Sequence, residues 1–236
     1  MLDRPLLESI LAAHGAALAD DAFARLDRFA ERLVETNRQF NLTAVTDPAG
    51  VTVKHFADSL VLFGLYDFPA GARVLDVGTG AGFPGLALKL YRPDLQLTFL
   101  DGTRKKLDFI AGVLADEGLA GETVHLRAEE AGRQPAFRET FDVVTARAVA
   151  DMAKLAEFTL PFVRVGGAFL AMKSESAAEE VRRAQRALTL LGGRAARDTV
   201  YRLTPDVPRR LIVVRKISQT PTKYPRASAQ IAKKPL

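Results

Sequence analysis

The chain has 236 residues, 48% of them apolar and 26% charged, which is the balance of a globular protein and excludes a disordered or fibrous one. Its formal net charge is +5, and it contains no cysteine, so disulfides, thiolate zinc sites and cysteine nucleophiles are excluded. No apolar run approaches the roughly 20 residues of a membrane span, and Asp3, Arg4 and Glu8 interrupt the first apolar stretch.

In chain order, Leu6, Leu7, Ile10 and Leu11 fall at helical spacing, and the run stops near Gly15. Asp21 to Asn37 places Phe23, Leu26, Phe29, Ala30, Leu33 and Val34 on one helical face. Asp47-Pro48 resembles an N-cap followed by proline at the first helical position, opening a helix through Val53, Phe56, Ala57 and Leu60. Residues 1–65 thus read as a small helical cap.

From Ala72 the pattern alternates. Strands are expected at Arg73–Val77, Leu95–Leu100, Thr123–Leu126, Phe141–Thr145, Gly167–Met172, Val200–Leu203 and Arg210–Val214. Helices fall between them, through Leu86–Leu90 and Arg104–Leu114, and from a capping box at Ser176 to Glu179 as far as Gly192-Gly193. Alternation of this kind implies a parallel sheet between two helical layers. Only Thr204 to Arg209 joins the last two strands, too short for a crossover, so one strand near the end must run antiparallel. The expected fold class is therefore α/β, a mostly parallel seven-stranded sheet over residues 66–217 with an N-terminal helical cap.

Residues 218–236 form a third region. From Arg209 onward there are eight basic residues and no acidic one, which leaves 25 basic and 28 acidic residues, net −3, in the first 208. On charge alone this is a polyanion contact or a solvated, frayed end. His14, His55 and His125 show no ligand-like spacing, so no metal is expected.

The chemistry concentrates at Asp76-Val77-Gly78-Thr79-Gly80-Ala81-Gly82-Phe83-Pro84-Gly85, a glycine-rich turn between a strand and a helix. Gly80-x-Gly82-x-x-Gly85 with Asp101 downstream matches the dinucleotide fingerprint, which fits NAD as well as a methyl donor. S-adenosylmethionine is favoured for three reasons, one of them that the glycine loop lies near residue 80, behind a helical cap and ahead of a hairpin end. Asp76 puts an acid beside the turn, which repels a pyrophosphate and attracts a sulfonium or amino group. The Val165–Lys173 run has the glycine turn and strand of the fifth strand in Rossmann-like methyltransferases. Asp101 either accepts the ribose hydroxyls or caps the helix at Thr103-Arg104, and Ala128-Glu129 follows the third strand beside Glu130, a cofactor contact or a solvated acidic pair.

Further motifs make a family resemblance visible. Asn37-Arg38-Gln39-Phe40-Asn41-Leu42-Thr43, Lys54-His55-Phe56-Ala57-Asp58-Ser59-Leu60, the Phe83-Pro84-Gly85 loop ending, Thr145-Ala146-Arg147-Ala148 and Lys223-Tyr224-Pro225-Arg226 resemble the signatures of the RsmG, or glucose-inhibited division protein B, family. The resemblance spans nearly the whole chain. It implies a class I methyltransferase that moves a methyl group from S-adenosylmethionine to N7 of a guanosine in the 530 loop of bacterial 16S ribosomal RNA. It also implies cofactor contacts at Gly78, Phe83, Asp101, Gly102, Thr103, Ala128, Glu129 and Arg147, alongside Asp76, Gly80 and Gly82 from the loop itself. Two positions depart from the pattern: Thr36 replaces a common tryptophan, and Ala227–Ile231 replaces a Gly/Pro-rich stretch.

N7 of guanine carries a free lone pair, so the expected chemistry needs alignment and electrostatics and no general base. Arg147, at the end of the fourth strand, is the catalytic candidate; its alternative is an ion pair with Asp76 or Asp101. Lys173, Arg209, Arg210, Lys223, Arg226, Lys233 and Lys234 are candidate phosphate contacts on the RNA or the 30S subunit. His55 and Asp58 can pair on one helix face. The expected protein is a cytoplasmic monomer without membrane contact. The competing readings are an NAD-dependent oxidoreductase on the same glycine loop and a non-catalytic ribosome-binding protein.

Overall fold

The computed structural model describes all 236 residues. Helices α1 (Arg4–Ala13) and α2 (Asp20–Asn37) are followed by α3 (Pro48–Val51), a π-helical turn at Thr52–Ala57, α4 (Asp58–Leu60) and α5 (Leu62–Leu65). Asp47 caps α3 by accepting the Gly50 N–H at 2.6 Å, with Pro48 at the first helical position, as its residue type dictates.

Then come β1 (Arg73–Val77), α6 (Gly85–Tyr91), β2 (Gln96–Leu100), α7 (Arg104–Asp116), β3 (Glu122–Val124), α8 (Ala128–Ala131), β4 (Phe141–Arg147) and α9 (Met152–Thr159). The chain closes with β5 (Val163–Ser174), α10 (Ala178–Arg183), α11 (Gln185–Leu190), β6 (Gly193–Arg202), β7 (Pro208–Lys216) and α12 (Ser228–Lys233). The seven strands lie in the order β3-β2-β1-β4-β5-β7-β6. The pairs from β3 through β5 are parallel, and β7 alone is reversed, antiparallel to both β5 and β6. The short connection between β6 and β7 enforces that reversal.

Strand alternation divides the core in two. Val74, Val143, Leu170, Leu211 and Val213 face a layer made by α1 to α7, while Leu75, Val144, Phe169, Ile212 and Val214 face α9 to α11. The N-terminal helices therefore share one continuous core with α6, α7 and the sheet: Leu26, Phe29, Leu33 and Phe56 are buried there beside Phe83 and Leu86.

Three local expectations are corrected. The capping box at Ser176 does not form. The chain leaves β5 through a 3-10 turn at Glu175–Ala177, Ser176 pairs with the Ser174 hydroxyl at 3.0 Å, and α10 starts at Ala178 without a side-chain cap. Strand β6 begins at Gly193, seven residues ahead of the apolar signal at Val200, because it is an edge strand whose exposed residues carry no period-two pattern. The basic C-terminal region is anchored and not frayed: Thr220, Tyr224 and Ile231 are buried and α12 packs on α9, while Lys223, Lys233 and Lys234 stay exposed.

Candidate active site

The order of strands reverses between β1 and β4, and a cleft of about 320 Å³ opens at the carboxyl ends of β1, β2 and β3. Gly78, Asp101, Gly102, Thr103, Ala128 and Glu129 line it, which brings together six of the expected cofactor residues. Glu130 is drawn aside, accepting the Arg127 N–H at 3.3 Å to cap α8, so of the acidic pair it is Glu129 that faces the cleft.

Of the remaining expected residues, Asp76, Gly80, Gly82 and Phe83 build or support the loop instead of lining the cleft, and Arg147 lies outside this cleft. Asp76 is fully buried under the turn, where its carboxylate accepts the Gly85 N–H and the Thr145 hydroxyl, both at 2.9 Å. Burial pushes this carboxyl above the usual carboxylate range, and neighbouring donors offset that only in part. The expectation that Asp76 touches the cofactor is thus corrected: the strand's inward-facing position hides it, and it holds the start of α6. A Cβ on Gly85 would stand 2.7 Å from that carboxylate, which is why glycine occupies the position. Phe83 also turns away from the cleft, wedged against Phe29, Phe56 and the His55 ring at centroid distances of 5.1, 5.2 and 4.8 Å. Gly80 and Gly82 (φ +59° and +97°) take the left-handed backbone the turn requires.

Asp101 serves both of its expected parts. Its carboxylate accepts the Gly80 N–H at 3.0 Å and the Thr103 N–H at 2.8 Å, so it ties the β1 loop to the entry of α7, yet it still lines the cleft with lone pairs to spare. Further loop amides are spent as well. Gly78 donates to Leu100 O at 2.8 Å, and Gly82 and Phe83 donate to Thr79 O at 2.9 and 3.1 Å. A pyrophosphate needs free N–H donors at such a turn. Here those of Gly80 and Gly85 are taken by carboxylates.

Ala148 has φ +55° and swings the chain after β4, so that Val149 lines the first cleft and Arg147 a second one of about 520 Å³. Lys54, His55, Asp58, Arg147, Lys173 and Arg209 face this second cleft. Arg147 donates to the Lys54 carbonyl at 2.9 Å and to Asp58 at 3.1 Å, and its guanidinium lies 5.3 Å over the Phe83 ring. The ion-pair partner is therefore neither Asp76 nor Asp101, and His55 does not pair with Asp58. Asp58, buried to 3% exposure, also holds Arg209 at 3.3 Å, with the Tyr201 hydroxyl at 3.4 Å. Burial and the neighbouring Asp58 push the Tyr201 phenol up, so it stays protonated.

His55 is fixed by the first signature. Asn37 Oδ1 accepts the Leu42 and Thr43 N–H groups at 2.7 and 2.9 Å, and Thr43 Oγ1 meets His55 Nε2 at 2.7 Å. Nδ1 faces the Lys54 carbonyl at 3.2 Å, which can only accept, so Nδ1 carries the proton and Nε2 accepts from Thr43. Burial, aided by Arg147, lowers this histidine to about 4. It is a neutral strut and not a base poised near neutrality.

The expected phosphate contacts separate into two groups. Lys173 is held by Glu180 at 2.7 Å and the Ala150 carbonyl at 2.6 Å, Arg210 by Asp198 at 2.6 Å, and Arg226 by the buried Glu157 at 2.7 Å. Lys223, Lys233 and Lys234 have exposed side chains. Sequence reasoning did not single out Lys106, Arg127, Val149, Phe158 or Ser228, which also line the first cleft. Asp58 was visible only as a member of a signature.

Sheet order, glycine turn and a cleft at the switch point together define a Rossmann-like methyltransferase fold. The crystal structure of a predicted O-methyltransferase from Agrobacterium tumefaciens superposes with a TM-score of 0.51 over 65% of this chain and 78% of that one, at 18% identity, a likeness of fold alone. Residues 22–202 match the model of the GidB family, described as rRNA small subunit methyltransferase G. Ribosomal RNA small subunit methyltransferase G of Geobacillus kaustophilus is 42% identical over 97% of both chains. Its counterpart in Leuconostoc mesenteroides is 41% identical over the full length of both. The chain belongs to this family.

Proposed function

We propose that the protein transfers a methyl group from S-adenosylmethionine to N7 of a guanosine in the 530 loop of 16S ribosomal RNA, acting in the cytoplasm as a monomer on the RNA or the 30S subunit. The observation that carries the choice of cofactor is the commitment of the loop amides. With the Gly80 and Gly85 N–H groups bound to the Asp101 and Asp76 carboxylates, the turn offers fewer free donors to a pyrophosphate and sets two acids beside it. It does suit a nucleoside whose polar groups are a diol and an amine, and a Cβ on Gly80 would meet nothing closer than the Gly78 carbonyl oxygen at 3.9 Å, which leaves room beside the turn.

In this reading Asp101, Gly102 and Thr103 hold the ribose, and Ala128 and Glu129 receive the base. When bound, S-adenosylmethionine supplies an electrophilic methyl carried on a sulfonium. The second cleft then receives the guanosine. Lys54, Arg147, Lys173 and Arg209 outnumber Asp58 and Glu180 there, so the cleft favours a polyanion. Arg147 orients the acceptor at the junction of the two clefts. No residue has to remove a proton, because the N7 lone pair is free. This fits a site whose histidine is locked neutral with both nitrogens occupied.

The test is transfer of labelled methyl to 30S subunits from cells lacking the protein, followed by identification of the labelled nucleoside. Label in 7-methylguanosine of the 530 loop is the expected result. Label in another nucleoside overturns the target. Absence of S-adenosylmethionine binding, with NADH bound in its place, overturns the reading of the loop.

A further inference from the structure

On charge alone the segment after Arg209 reads as a polyanion contact, but its packing directs it toward the first cleft. Arg138 donates to the Tyr224 carbonyl at 2.9 Å and to the Thr220 carbonyl at 2.6 Å, and Arg133 donates to the Pro225 carbonyl at 2.8 Å. Glu139 accepts the Thr220 N–H at 2.7 Å and meets the buried Lys216 ammonium at 3.1 Å. Glu157, on α9 and fully buried, accepts both the backbone N–H and the guanidinium of Arg226 at 2.7 Å. Breaking such a buried pair strands a charge, so the segment is held firmly against the body.

That anchoring has a direction. Pro225 seats against Gly132 at the end of α8, where a Cβ on Gly132 would come within 3.2 Å of the proline ring. Helix α8 begins with Ala128 and Glu129. Two residues past the Arg226 clamp, Ser228 enters the wall of the cleft that those residues and Asp101–Thr103 line, next to Phe158 of α9.

We infer that residues 218–236 form a structural wall of the cofactor cleft at its nucleoside end, and that Ser228 is a cofactor-contacting residue. Arg226 serves as the positioning residue that holds the wall in place. Of the segment's basic side chains, Arg226 is therefore consumed in anchoring, its guanidinium on the buried Glu157 and not on an RNA backbone. This inference rests on the reading of the first cleft as the S-adenosylmethionine site.

The chain contains no tryptophan, so Ser228→Trp introduces a single fluorophore at an exposed wall position that carries no packing role. Titration of this variant with S-adenosylhomocysteine is expected to give a saturable change in tryptophan emission and an affinity at least about tenfold below wild type, measured by calorimetry. A second variant ending at Ala227 is expected to lose S-adenosylhomocysteine affinity by a similar factor, while its retention of a 16S RNA fragment at fixed salt changes less than about threefold. Wild-type affinity in both variants together with flat emission overturns the inference. Loss of RNA retention with unchanged S-adenosylhomocysteine binding also overturns it and restores the polyanion reading. Wild-type protein that binds no S-adenosylhomocysteine overturns the cofactor reading itself, and the inference with it.

Discussion

Arg147 and Asp58 are 89 residues apart in sequence and meet at 3.1 Å, the guanidinium at the end of β4 and the carboxylate at the start of α4. This contact joins the N-terminal helices to the sheet at the mouth of the second cleft. Because Asp58 also holds Arg209, a single buried carboxylate sets the directions of two guanidinium groups facing the second cleft.

Replacing that charge while keeping its shape isolates positioning from binding. Asp58→Asn is expected to lower the rate of methyl transfer by about 10- to 100-fold, the cost of a misaligned group. Asp58 does not line the first cleft, so S-adenosylhomocysteine affinity should stay within about twofold. Single-turnover transfer and calorimetry on the same preparation check both halves. Asp58→Glu should recover part of the rate.

Asp76 supports the turn from below. Asp76→Ala removes the acceptor for the Gly85 N–H and the Thr145 hydroxyl inside the core and is expected to cost about 2–4 kcal/mol. Asp76→Asn keeps one acceptor oxygen and should lose about half as much. Urea unfolding followed by circular dichroism measures both.

Two glycines of one loop should respond differently to the same methyl group. At Gly80 the added Cβ makes only an ordinary contact, 3.9 Å from the Gly78 carbonyl oxygen, and the cost is the left-handed backbone alone, about 1–2 kcal/mol. At Gly85 the Cβ would collide with the buried Asp76 carboxylate at 2.7 Å, an overpacking cost of about 1–3 kcal/mol together with displacement of the loop's anchor. Gly85→Ala should therefore abolish S-adenosylhomocysteine binding at a temperature where the folded Gly80→Ala protein still shows weakened binding.

His55 gives the stability a pH dependence of defined sign. Its pKa is about 4 in the folded protein against 6.5 when exposed, so between these values the unfolded chain binds the additional proton. The neutral ring's contribution is complete above pH 6.5 and is lost as pH falls toward 4, by up to about 3 kcal/mol. His55→Gln should flatten the fall in melting temperature across that window. Nuclear magnetic resonance of the His55 ring should show no protonation at pH 5.5.

The strand pattern was legible because each strand buries one or both faces. Arg73–Val77 matches the observed β1 to the residue, and the reversed β7 followed from a connection too short to cross over. Strand β6 was half missed, since its Arg194, Arg197 and Asp198 lie along an open edge where no periodicity is required. The glycine turn could be located from spacing alone. The parts played by Asp76 and Phe83 could not, because residue type does not reveal which way a side chain turns from a loop. The Asn37–Thr43 and His55–Asp58 signatures were visible as patterns. Their reason, a chain of hydrogen bonds from Asn37 through Thr43 to His55 and a separate carboxylate on Arg147, exists only where two distant segments pack together.

The amino-acid sequence by itself determined the α/β class, the single antiparallel strand near the end and the place of the glycine-rich turn, which depend on local propensity, periodicity and connection length, all acting between neighbours; its motifs carried the resemblance to the family. Tertiary structure decided which charges are free. Arg226 and Lys173 look alike in a composition and differ from Lys223 only because carboxylates lie against them, Glu157 fully buried and Glu180 half-buried. Whether a basic residue meets RNA or holds a wall in place depends on what the fold brings within about 3 Å of it, where low dielectric makes a pair strong and an unpaired charge costly.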